Sequence, residues 1–335
     1  MSKLRVNMLP LQAHCFAFGG FEIQMLELYN ALSLSNEISV KKMNPWDRDL
    51  DFDVLHLWGL EQANFNNAYW AKKSNKKVVV TALIGQVESL KDAVRFKASK
   101  YIGNVRSLMK LLKCIDALVV VNELEAEKAK RYFNLTPDKV FVIPNLITPD
   151  VINATVVHKS SNISHENFYF CAGNISERKN QVLLAQAANE TATNMIFAGD
   201  FICIESYKEK FLTIIDTNKN LTYVGNLPNT SQELFDLFIN SDGFCLPSYQ
   251  ETQPISVLEA AFFGKNILIG NSGYSKQHLF RNLVKVSVSS VDSIKEGIMK
   301  LKNANGNNCF TIEREDLDNC LYHQVSKKYL QVYSA

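Results

Sequence analysis

No stretch of this chain approaches the roughly 18 consecutive apolar residues of a membrane-spanning helix, so nothing in it reads as a span. The opening "MSKLRVNMLPLQAHC" lacks the apolar core and small-residue cleavage site of a secretory signal. Its seven cysteines (Cys15, Cys114, Cys171, Cys203, Cys245, Cys309, Cys320) form no C-x-x-C pair. An odd, scattered set reads as reduced thiols, and the expected location is cytoplasmic. Charge of one sign is also scarce: 36 basic against 34 acidic residues leave +2, which gives no reason to expect a nucleic-acid partner. The six histidines show no metal-ligand spacing, no Ser/His/Asp or Cys/His arrangement stands out, and there is no low-complexity tract or short repeat.

What is present is an ordinary globular composition, 47% hydrophobic and 21% charged. A chain of 335 residues suits two domains of about 150 each. Short apolar runs alternate with helical patterns twice over, the mark of parallel-sheet α/β units. The first set is "KLRVNMLP", "EISVKKM", "DFDVLHLWG", "KKVVVTALI", "CIDALVVVN" and "DKVFVIPN". The second is "FYFCAGN", "NMIFAGD", "LTYVGN", "DGFCLPS", "KNILIGN" and "VKVSVSS". The expected fold class is α/β, with two facing Rossmann-like doubly wound parallel-sheet domains and an interdomain cleft at the carboxyl ends of the strands. The expected boundaries are residues 1–152, a polar linker at 153–167, a second domain at 168–315, and a closing helix at 316–335 that returns to the first domain.

In "PSYQETQPISVLEAAFFGK" (Pro247 to Lys265), Glu259 is the lone charge between Glu251 and Lys265, set among Ile255, Val257, Leu258, Ala260, Ala261, Phe262 and Phe263. An unpaired buried carboxylate costs several kcal/mol, so Glu259 must face water or await a partner. Carboxylates accept from neighbouring hydroxyls, and a sugar or ribose diol supplies two. Glu251 follows a strand and precedes a helix starting near Pro254, where unpaired amides also suit phosphate. The plainer alternative is a solvated loop and a surface acid. "CAGNISERKNQVLLAQAA" places Arg178 and Lys179 between a Gly173 turn and a helix, either a diphosphate seat or a solvated first turn. Gly19 and Gly20 in "AFGGFEIQMLELYNAL" permit close backbone approach to phosphate or sugar.

Between Lys91 and Lys113, Arg95, Lys97, Lys100, Arg106, Lys110 and Lys113 accompany apolar residues at helical spacing. That basic amphipathic pattern suits an anionic membrane surface, or equally a core stripe with a wet cationic face. Asp47, Asp49, Asp51 and Asp53 have Asp-x-Asp spacing but precede a strand, so a solvated loop is the expectation and no metal site is assigned. His14 and His56 fall near strand ends and are candidates for the acceptor side.

Together these segments resemble the family 4 glycosyltransferases of the GT-B fold, over nearly the whole chain. "ETQPISVLE" followed by "AAFFGK" is similar to the family's E-x7-E element. "GNISERKNQVLLAQA" resembles its donor motif, "FGGFE" its early glycine loop, "VFVIPNLI" the close of its first domain, and "LYHQVSKKYLQVY" its final helix. The resemblance implies a retaining, metal-independent transfer from a UDP- or GDP-type sugar to a glycan or lipid-linked acceptor, with no cofactor; the basic segment adds the expectation of the inner face of a membrane. It makes Glu251 and Lys179 the catalytic pair and Glu259 the holder of the ribose diol. Gly19, Gly20, Asn174, Arg178, Thr252, Gln253 and Ile255 complete the donor set. The sequence departs from the pattern at Asn174, where arginine is usual, at Thr252, where glycine is common, and at "TALIGQ" (Thr81 to Gln86), which lacks a frequent histidine. A catalytically silent scaffold member and a nucleotide-sugar epimerase are the alternatives.

Overall fold

The computed structural model describes residues 3–16, 18–84, 104–157, 167–304 and 307–335, and it divides into two compact units. The first comprises residues 1–146 and 319–335, the second 147–318.

The first unit is built on a six-stranded parallel sheet in the order β2-β1-β3-β4-β5-β6. Its strands are β1 (Leu4–Leu9), β2 (Ile38–Lys42), β3 (Val54–Trp58), β4 (Lys77–Thr81), β5 (Ala117–Val120) and β6 (Val140–Val142). The helices are α1 (Gly20–Ser33), α2 (Phe65–Lys73), α3 (Asn104–Leu112), α4 (Glu123–Phe133) and, from the end of the chain, α12 (Tyr322–Ser334). Every residue of β3 and β5 is buried, as expected of parallel strands covered on both faces. Asn122 caps α4 by accepting from the Glu125 amide at 3.0 Å. On α12 the buried residues are Val325, Tyr329, Val332 and Tyr333, one apolar stripe that enters the core formed by β1, β3 and α1.

The second unit repeats the plan with the order β12-β11-β10-β7-β8-β9. Its strands are β7 (Phe168–Ala172), β8 (Asn194–Ala198), β9 (Leu221–Tyr223), β10 (Gly243–Leu246), β11 (Asn266–Gly270) and β12 (Val284–Val286). Its helices are α5 (Pro149–Val157), α6 (Gln181–Glu190), α7 (Glu205–Thr217), α8 (Gln232–Asn240), α9 (Ile255–Phe262), α10 (Val291–Asn303) and α11 (Arg314–Asp318). Aromatic rings fill its interior: Phe170 packs edge-on against Phe238 at 4.9 Å between centroids, and Phe197 against Phe211 at 5.3 Å. The strand order reverses between β7 and β10, and at such a switch point doubly wound sheets leave a crevice beyond the carboxyl ends of the strands.

Every strand expected from an apolar run is present. The linker expectation needs correction: α5 runs through its first residues, and the division falls at Leu146/Ile147. Polar composition marked the stretch, but Val151 and Ala154 are buried and hold it helical. Residues 158–166 of that linker, and Arg95, Lys97 and Lys100 of the basic segment, lie outside the described residues.

Candidate functional site

The loops that follow β7 and β10 carry the chemistry of the second unit. Beyond β7 the chain turns at Gly173, whose φ of +140° is a region side chains rarely occupy. A Cβ there would stand 3.1 Å from Lys179 Nζ and 3.2 Å from Cδ and Cε, so the missing side chain is where the lysine lies. Gly199, after β8, approaches even more closely, since a Cβ on it would fall 2.2 Å from the Gly173 carbonyl oxygen.

Two side chains lock this turn. Gln181, fully buried at the start of α6, accepts from the Ser176 amide at 3.2 Å and donates to the Asn174 carbonyl at 3.0 Å. Asn180, left-handed at φ 66°, donates to the Val288 carbonyl at 2.8 Å and the Pro247 carbonyl at 3.2 Å. That second bond ties the turn after β7 to the loop after β10. Across the same junction the Tyr249 amide donates to the Arg178 carbonyl at 2.8 Å, and Arg178 Nη1 donates to the Gln250 carbonyl at 2.7 Å.

Glu251 is the convergence point. Its Oε2 lies 2.8 Å from Arg178 Nη1 and its Oε1 3.1 Å from Lys179 Nζ. The glutamate and lysine side chains are only 10% and 12% exposed, while that of Arg178 is half exposed. Burial works against the charge of Glu251, but Lys179 and then Arg178 outweigh it and hold the carboxyl below the ordinary range. The residue is therefore not a solvated loop acid, and Lys179 is not a solvated first-turn lysine.

Glu259 has the opposite environment. It is 8% exposed on α9, with buried Val257, Leu258, Ala260 and Ala261 around it. Burial alone pushes its carboxyl up to about 7, and no hydrogen bond or ion pair engages its side chain among the described residues. Two carboxyl groups of one segment are thus driven apart, one held ionised and one poised near neutrality.

The remaining donor-set residues frame that segment. Pro254 is the N-cap of α9, so the first helical residue is Ile255, and the first-turn amides that lack intrahelical acceptors begin four positions after Glu251. Gln277 Nε2 donates to the Thr252 carbonyl at 2.6 Å, and Gln253 is buried beside it. Asn174 is partly exposed and brings no cation. Asn180, Gln181 and Gln277 were not singled out from the sequence. An asparagine just before a helix is a cap signal, but nothing in sequence joins Gln277 to Thr252.

In the first unit, Gly19 is the N-cap of α1 and its amide donates to Glu22 Oε2 at 2.9 Å, so Glu22 closes the helix start. His14 is partly exposed, with its ring edge-on to Phe18. His56 requires a correction. It sits in mid-strand, fully buried, with Nε2 2.8 Å from Thr81 Oγ1 and Nδ1 2.8 Å from the Tyr333 hydroxyl. With both nitrogens engaged and burial lowering its pKa to about 3, it is a neutral core histidine, not an acceptor-side group.

On α3, Leu111 and Leu112 are buried and Leu108 and Met109 pack against the core beside α2, leaving Lys110 and Lys113 exposed. Asp51 and Asp53 both pair with Arg5. No helix among the described residues is long and apolar enough to cross a membrane.

Comparison with known proteins gives these features a family. Residues 154–319 match the family described as glycosyl transferases group 1. A curated Escherichia coli protein, UDP-Gal:alpha-D-GlcNAc-diphosphoundecaprenol alpha-1,3-galactosyltransferase, is 25% identical over 175 residues. That alignment covers 48% of this chain and 43% of the relative's length. A glycosyltransferase from Rickettsia africae ESF-5 superimposes with a TM-score of 0.73 at 14% identity, covering 100% of this chain and 98% of that one. HepE of Anabaena, solved in complex with UDP, superimposes with a TM-score of 0.69 at 13% identity over 99% of this chain and all of its own. Residues 154–319 thus belong to the group 1 glycosyl transferases, and the chain shares the GT-B fold of the glycosyltransferases end to end.

Proposed function

We propose that the protein transfers a hexose from a nucleotide-diphosphate sugar to a glycan or lipid-linked acceptor, with retention at the anomeric carbon and without a metal ion. The observation that carries this reading is the clamp of Arg178 and Lys179 on Glu251 at the strand-order reversal. In the transfer, the bond from the sugar's anomeric carbon to the diphosphate oxygen breaks and negative charge grows on the leaving group. Fixed cations and helix amides at that place stabilise the charge as a metal ion would. Glu251, released as the diphosphate takes over the cations, is then free to accept from hydroxyls of the transferred sugar. Glu259, buried and without a partner among the described residues, accepts from the two ribose hydroxyls.

The Escherichia coli relative, by its name, takes UDP-galactose and a diphosphoundecaprenol-linked acceptor, which supports a UDP donor and a lipid-linked acceptor here. The HepE complex supports the same base. A cytoplasmic protein working on such an acceptor would meet the inner membrane face. The exposed Lys110 and Lys113 offer an electrostatic contact there, since the apolar side of α3 is already used by the core. Asn174, which adds no cation, favours a silent scaffold member as the second reading. Screening UDP-, GDP- and ADP-sugars for thermal stabilisation, then assaying donor turnover, separates the two. Stabilisation with turnover supports the enzyme, stabilisation without turnover supports the scaffold, and no stabilisation by any donor refutes both.

A further inference from the structure

At the other end of the second sheet, where the strands begin, a cavity of about 610 Å³ opens next to the first residues of β7, β8 and β11. It is remote in function from the loops after β7 and β10, because parallel strands put their amino and carboxyl ends at opposite poles. Its lining is mostly polar and includes Tyr169, Asp242, Lys265, Lys302 and Asn308.

Four of these groups have unspent capacity. Tyr169 is 5% exposed, and its hydroxyl, at the cavity lining, has no hydrogen-bond partner among the described residues. Burial, then Cys245 and Asp242, push it further from ionisation, so it remains a donor. Lys265 donates to the Ile239 and Ser241 carbonyls at 2.7 and 2.8 Å, closing the end of α8 and keeping one N–H in reserve. Lys302 donates to the Thr191 carbonyl at 3.2 Å and keeps two. Asp242 contributes an acceptor-only carboxylate, raised by burial and drawn back by the charge of Lys265.

We propose that this cavity binds an anionic monosaccharide, a sugar bearing one phosphate or one carboxylate, at a site separate from the donor site. Two ammonium groups against one carboxylate leave the lining with a single excess positive charge, which favours an anionic substituent over a neutral one. Asp242 accepts from sugar hydroxyls, and Tyr169 donates to one. A polar lining disfavours an apolar ligand, because each buried polar group left unpaired costs about 1–3 kcal/mol.

The test is a calorimetric titration of the full chain, saturated with UDP, with glucose 6-phosphate, glucuronate and glucose. Glucose 6-phosphate or glucuronate binds despite the UDP, and glucose binds about 10-fold more weakly for want of the charge-assisted bonds. Tyr169→Phe and Lys302→Gln each weaken the better anionic sugar about 5- to 10-fold and leave UDP affinity unchanged. Tyr169→Phe removes only a hydroxyl that has no partner among the described residues, so that variant folds. The site is refuted if neither anionic sugar binds, if UDP displaces them, or if both variants bind as tightly as the parent. UDP binding is read separately, so failure of the donor reading leaves this titration intact.

Discussion

Lys179 Nζ stands 3.1 Å from Glu251 Oε1, joining a turn after β7 to a loop after β10 across the reversal of strand order. The contact explains how two ionised groups tolerate near-complete burial: each supplies the other's counter-charge, and the half-exposed Arg178 adds a second. Removing one partner of such a buried pair leaves the other uncompensated. Lys179→Ala is therefore expected to lower both donor turnover, by about 10²- to 10³-fold, and unfolding free energy, by about 3 kcal/mol. Adding Glu251→Gln to it should restore most of the stability and none of the turnover. Urea unfolding and a donor-hydrolysis assay on the same preparations check this, and a Lys179→Ala protein with parental turnover removes the residue from the site.

Glu259 gives a pH signature. Its carboxyl is raised to about 7, so it is ionised above neutrality and protonated below. A protonated carboxyl loses acceptor capacity for a diol. UDP affinity should fall as pH drops from 8 to 6 in the parent protein, and Glu259→Gln should bind weakly at both values. Because UDP has its own phosphate titration, the informative quantity is the difference between the two proteins. A difference that does not change with pH argues against the diol contact.

His56 gives a signature in stability rather than binding. Its folded pKa of about 3 is below the ordinary 6.5, so the unfolded chain takes up a proton that the folded core refuses. The contribution is complete above pH 6.5 and is lost as pH falls from there toward 3. Between pH 7 and pH 5 the stability lead of the parent over His56→Gln should shrink by about 2 kcal/mol. Urea unfolding at the two pH values measures it, and a constant lead would mean that the buried imidazole accepts the proton.

Gly173→Ala tests the turn. A Cβ at φ +140° is strained, at a cost of about 1–3 kcal/mol, and it meets the terminal atoms of Lys179 at 3.1–3.2 Å. The lysine end is flexible and should yield, displacing its ammonium from Glu251. Donor turnover should fall even where the protein remains folded by circular dichroism. Full turnover in a folded Gly173→Ala protein contradicts the placement.

For the membrane, Lys110→Gln with Lys113→Gln should reduce sedimentation with phosphatidylserine vesicles at low salt, each charge being worth about 1 kcal/mol near such a surface. Binding of the double variant at the parental level, or failure of the parent to bind, counts against an electrostatic contact through α3.

Much was legible before folding was considered. Buried parallel strands must be apolar along their whole length, so runs such as "KKVVVTALI" and "FYFCAGN" announce both sheets without any knowledge of partners. A lone acid in "ISVLEAAFF" is visible because charge in an apolar helix is costly wherever the helix goes. The same local logic misplaced His56: a histidine near a strand end looks available until Thr81 and Tyr333, from distant parts of the chain, occupy its nitrogens. It left the basic segment open between two readings, because the amphipathic pattern of α3 is identical whether its apolar side meets lipid or the core beside α2.

Periodicity and composition alone therefore determined the fold class, the strands and the identity of the suspect carboxylates, since burial cost is a property of each residue and its near neighbours. Tertiary structure decided which of those carboxylates is clamped by cations and which is left poised near neutrality. Pairing energies depend on separations of a few ångströms between groups that the chain order places far apart.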